Sequence, residues 1–60
     1  MASDETRRIL KVFGVAVTNL EEAIDRKAPF DEIMKWDNEL ADRTREVINL
    51  VENLRSRRIA

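Results

Sequence analysis

Sixty residues, 38% charged and 43% hydrophobic, with eleven basic and twelve acidic side chains and a net charge of −1, describe at most one small domain with no global attraction to nucleic acid or anionic lipid. The absence of cysteine and histidine excludes a disulfide framework, thiolate or Ser–His nucleophilic chemistry, and the commonest ligands of zinc, haem and non-haem iron. A lone core of this size rarely supplies more than ~3–5 kcal/mol, so oligomerisation, or docking onto a larger protein, is the stabilisation left open.

Gly14 and Pro29 are the chain's single glycine and single proline, too little turn material for an all-β fold. The expectation is all-α: a two-helix antiparallel hairpin occupying residues 1–60 as a single domain. Ser3 offers an N-cap, and Asp4 and Glu5 follow in the first turn, where carboxylates oppose the positive helix end. Helix 1 is predicted over about 4–26. Its large apolar residues, Leu10, Phe13, Val17, Leu20 and Ile24, recur alternately three and four apart, the spacing of a packing seam. Ile9, Ala16 and Ala23 flank that seam. Residues 9–18 are rich in β-branched side chains, which suit a strand. Apolar residues there occupy both parities, and the chain supplies no partner strand, so helix is the reading adopted. Gly14 then costs about 1 kcal/mol relative to alanine. Either it is a tolerated surface glycine, or it marks a close helix approach beside Ala16.

The turn is predicted over about 27–30. Pro29 biases Ala28 away from helical backbone and suits the first helical position, with Asp31 as an alternative N-cap. Helix 2 is predicted over about 31–57. Ile33, Leu40, Val47 and Leu54 recur seven apart, with Val51 between, again a seam pattern of coiled-coil type. Arg55, Arg57 and Arg58 fall in the last turns, where cations are favoured. Folding about Pro29 sets Ile24 against Ile33, Val17 against Leu40, Leu10 against Val47 and Thr6 against Val51, so the two stripes are expected to face each other. Asp37 and Thr44 interrupt the second stripe. A polar seam residue fixes register, or marks where the seam drifts to solvent; drift is the reading preferred for Asp37.

Val12, Val15, Trp36, Ile48 and Leu50 are surplus to a two-helix seam. A hairpin alone would expose them as a patch, the mark of an interaction surface; a four-helix bundle of two hairpins would bury them. Val12, Trp36, Ile48 and Leu50 are accordingly the expected dimer or partner interface. Charge gives a direction. Residues 1–17 and 47–60 hold Arg7, Arg8, Lys11, Arg55, Arg57 and Arg58 against Asp4, Glu5 and Glu52, whereas residues 18–46 hold five basic and nine acidic side chains. A head-to-tail homodimer lays the basic end of one hairpin beside the acidic half of the other. This architecture is similar to the Rop type of four-helix bundle, a resemblance of fold alone.

Little chemistry is available. Glu21 with Asp25, and Glu39 with Asp42, share helix faces and could hold Mg²⁺, but a bundle di-metal site normally adds Glu-x-x-His; a solvated face is the reading adopted. No phosphate-binding glycine loop or dinucleotide fingerprint is present. The longest apolar run, residues 12–17, is too short for a bilayer or a signal-peptide core, and the acidic start is unlike a secretory leader, so a cytoplasmic location without membrane attachment is expected. The expectation for function is a small non-enzymatic protein-interaction or regulatory module without cofactor, acting through helix–helix contacts and homodimerisation, with another helical protein as a further possible partner. The alternatives are a nucleic-acid-binding regulator using Arg7, Arg8, Lys11, Arg55, Arg57 and Arg58 on phosphates, and an accessory subunit or chaperone of a larger protein.

Overall fold

The computed structural model describes residues 3–59; Met1, Ala2 and Ala60 lie outside the described residues. Two helices form an antiparallel hairpin, α1 over Asp4–Asp25 and α2 over Phe30–Ile59, and no strand occurs among the described residues. The β-branched stretch 9–18 is helical throughout, so tertiary packing of an apolar helix face outweighs its local strand preference. Ser3 caps α1 as its sequence position predicts. Its backbone is extended, its Oγ accepts a hydrogen bond from the Thr6 N–H at 3.1 Å, and Asp4 and Glu5 complete the first turn.

The other end of α1 closes one residue earlier than the sequence predicts, and its geometry is specific. The Ala28 N–H donates to the Ala23 carbonyl at 2.9 Å and the Lys27 N–H to the Ile24 carbonyl at 3.1 Å. Together with Lys27 at φ 56°, this is a Schellman termination carried by a lysine where glycine is usual. Pro29 is neither the first helical residue nor displaced by Asp31 as N-cap. Its own carbonyl accepts from Glu32 and Ile33 at 3.0 and 3.1 Å, which makes it the capping residue and Phe30 the first residue of α2. Proline is tolerated there because no N–H is needed at that place. Arg26 and Glu32 form an ion pair across the turn.

Ile9, Ala16 and Ala23 are the buried residues, Ala23 completely so. They recur every seven residues along α1 and mark its innermost line. The Arg26–Glu32 pair beside the turn and a groove shared by Ile9 and Leu50 near the open end set the register between the helices. Ala23 comes level with Trp36, and Ala16 with Arg43. Small residues on α1 are thus level with long ones on α2.

The predicted seam is therefore inward only in part: Phe13 and Leu20 are half-buried. Leu10, Val17 and Ile24 do not face α2: they are 49%, 40% and 53% exposed. Gly14 is also exposed, and a Cβ built on it would meet nothing within 4 Å. That settles its role as a tolerated surface glycine rather than a point of close helix approach.

The hairpin measures 47 × 18 × 13 Å with a radius of gyration of 14.2 Å, against about 10 Å for a compact 60-residue domain. Its 5003 Å² of accessible surface exceeds the roughly 4,000 Å² expected of a compact 7.0 kDa monomer. Among the described residues, no helix is long and apolar enough to cross a membrane.

Candidate interaction face

Helical geometry divides the broad surface of the hairpin into two unlike sides. Each residue advances about 100° around a helix. Starting from the inward line Ile9–Ala16–Ala23, one direction leads to Phe13 and Leu20 and then to Leu10, Val17 and Ile24. The opposite direction leads to Val12 and Asn19 and then to Arg8, Val15 and Glu22. The same division holds on α2, where Trp36, Arg43 and Leu50 form the line nearest α1. On one side of it stand Glu39, Glu46, Asn49 and Asn53; on the other stand Ile33, Leu40, Val47, Val51 and Leu54.

A groove of about 200 Å³ shows how the sides pair: it is lined by Glu5, Arg8 and Ile9 of α1 with Glu46, Asn49, Leu50 and Asn53 of α2. That side is mainly polar and charged, with Val15 its exposed apolar residue. Arg43 extends toward it, with its Nη1 3.0 Å from Glu46 and its Nε 3.5 Å from Glu39. The alignment is imperfect, because Arg43 Nε and Glu46 Oε1 are buried without a hydrogen-bond partner. Such atoms forfeit part of their solvation without full compensation.

The opposite side is apolar along its whole length. Phe13 and Leu20 of α1 and Ile33, Leu40 and Val47 of α2 are half-buried there, and Leu10, Val17, Ile24, Val51 and Leu54 are exposed. The two predicted stripes are thus each split between half-buried and exposed members. Near its open end, Val47, Ile48, Val51, Glu52 and Arg55 line an open groove of about 330 Å³. Large contiguous exposed apolar patches are uncommon on monomeric soluble proteins. Thr44, half-buried beside Leu40, donates its hydroxyl to the Leu40 carbonyl at 2.8 Å, so it presents little unsatisfied polarity to that face. Asp37 is exposed at its edge.

Of the four residues singled out as an interface from sequence, Ile48 is exposed on the rim of this apolar groove. Val12, Trp36 and Leu50 are half-buried at the seam between the helices, with the Lys35 ammonium 4.8 Å from the Trp36 ring. The surplus of apolar surface is real: Val15 and Ile48, expected as surplus, are exposed, but so are Phe30 and Leu10, Val17, Ile24, Val51 and Leu54, the last five assigned to the seam by the sequence pattern. The repeated small residues Ala16 and Ala23 were the signal for the true inward line.

Arg7, Arg8, Lys11, Arg55, Arg57 and Arg58 are all exposed at the open end, and none belongs to the ion pairs found among the described residues. The carboxylates of the Glu21–Asp25 and Glu39–Asp42 pairs are exposed as well, and Glu39 and Asp42 are engaged by Arg43 and Arg45. Among the described residues, no group of three or more carboxylates is arranged to hold a metal ion. No protein-family model, curated protein or solved structure matches the chain.

Proposed function

We propose that this chain is a non-enzymatic helix–helix interaction module that associates with a second copy of itself through the apolar face, giving a head-to-tail four-helix bundle. The observation that carries this reading is the continuous apolar face from Leu10 to Ile24 and from Ile33 to Leu54, set against a polar opposite side. One apolar side and one polar side suit a closed pair of hairpins, in which each apolar face is covered once. The broad side of the hairpin measures 47 by 18 Å, enough for a copy lying along its length to cover the ~800 Å² per partner of a standard specific interface. The acidic turn half and basic open end favour the head-to-tail arrangement, since the opposite one would gather like charges.

If folding and association are linked in this way, thermal stability depends on protein concentration. Helix melting followed by circular dichroism across a ~100-fold concentration range should show a midpoint that rises steadily with concentration. A concentration-independent midpoint would contradict self-association.

A further inference from the structure

We propose that Phe30 of one hairpin packs onto the Val51–Leu54 end of the apolar face of a second copy, at the groove lined by Val47, Ile48, Val51, Glu52 and Arg55, and that this contact fixes the head-to-tail orientation. The inference rests on the self-association reading and adds to it the residue that selects the geometry.

Phe30 is 74% exposed, more than any other large hydrophobic residue among those described. Its position needs no aromatic ring, because the cap of α2 is the Pro29 carbonyl. Phe30 lies one heptad before Asp37 and three before Val51, so it stands on the same edge of α2 as the apolar face. The face is centred between Asp42 and Thr44: Val17, the midpoint of the α1 stripe, is level with Asp42, and the midpoint of Ile33 to Leu54 falls between Arg43 and Thr44. Phe30 is thus about 18–20 Å of helix rise from that centre. A twofold operation perpendicular to the helices lays α2 antiparallel on α2 of the copy. It carries Phe30 to the same distance beyond the copy's centre, between Leu54 and Arg57, one to two turns from Val51.

The groove there is lined by the apolar Val47, Ile48 and Val51 and by the charged Glu52 and Arg55. The ring also arrives from the acidic half of one hairpin at the basic end of the other. In the opposite arrangement, with both turns at one end, Phe30 would find no Val51 at its own level. A buried aromatic anchor in an apolar seat is the usual form of an interface hot spot.

The chain contains no cysteine, so introduced thiols report proximity cleanly. Residues 30 and 51, or 30 and 54, are about 30 Å or more apart along a single helix, far beyond the ~4.4–6.8 Å Cα separation a disulfide spans. Any bond between them must join two chains. The full chain carrying Phe30→Cys with Val51→Cys, or Phe30→Cys with Leu54→Cys, should oxidise to a covalent dimer in at least one of the two pairings. Phe30→Cys, Val51→Cys and Leu54→Cys alone should remain uncross-linked. Phe30→Ala, which removes only an exposed ring, should keep the helical signal and weaken association by about tenfold or more for each of the two seats. If wild type sediments as a dimer but neither pairing cross-links, or the single variants cross-link equally well, the Phe30 seat is wrong while self-association stands. A wild-type chain that sediments as a monomer overturns both.

Discussion

Lys27 holds a left-handed backbone, φ 56°, at the position after a helix where glycine normally serves, and Gly14 occupies a helix interior where alanine would serve better. Both placements cost stability for reasons visible in the backbone alone. A side chain in the left-handed region crowds the following carbonyl at a cost of roughly 1–2 kcal/mol, and a mid-helix glycine is about 0.5–1 kcal/mol less favourable than alanine. Neither side chain is needed for packing: Lys27 is exposed, and open space surrounds Gly14. Gly14→Ala should therefore stabilise the chain by about 0.5–1 kcal/mol. Lys27→Gly should stabilise it by up to about 1 kcal/mol, the strain relief being partly offset by the greater freedom of an unfolded glycine. Urea denaturation at fixed protein concentration measures both. Destabilisation by Gly14→Ala would mean that a neighbour closes on that surface in the assembled state.

At the scale of elements, the existence, order and type of both helices follow from the spacing of apolar residues and from the single proline. Ser3 capping follows from residue chemistry. The azimuth of each helix does not. Large apolar side chains recur on adjacent heptad lines, and periodicity alone assigns the bulkier line, Leu10–Val17–Ile24, to the inside. Packing reverses this: small Ala16 and Ala23 stand level with Arg43 and Trp36, and the bulky line turns outward. A rotation of about 100° converts an expected seam into an exposed face. The proline boundary shifts for a similar local reason, since the Pro29 carbonyl, not its ring, begins the hydrogen-bond ladder.

Two neighbouring substitutions distinguish the inward line from the outward one. Ala23→Leu forces extra volume into a fully buried position and should cost about 1–3 kcal/mol. Ile24→Gln, one residue along, places a polar group on the apolar face; it should leave the helix content of a folded hairpin intact while raising the dissociation constant. Circular dichroism with denaturant titration reads the first effect, and analytical ultracentrifugation the second. Equal loss of helix from both would mean that the two lines have been misassigned.

For the molecule as a whole, shape and charge make the same case. A 47 Å rod with 5003 Å² of accessible surface has more surface and less core than an independent domain of its mass requires, and its apolar side runs from Leu10 to Ile24 and from Ile33 to Leu54. The separation of basic termini from an acidic turn half was readable from sequence once the hairpin was inferred, because the fold brings Arg7, Arg8 and Lys11 beside Arg55, Arg57 and Arg58. Those six basic side chains are exposed, and the proposed head-to-tail pairing would give their charge a partner within the assembly. Exposed pairs of this kind contribute little individually, so orientation, more than affinity, is where the charge pattern acts. In the proposed dimer, affinity would come from covering Leu10, Val17, Ile24, Val51 and Leu54. Sedimentation equilibrium of the intact wild-type chain tests that claim most directly. The account predicts a single species at twice the 7.0 kDa chain mass, dissociating only on dilution; a fully helical species that stays at the single-chain mass at the highest attainable concentration would contradict it.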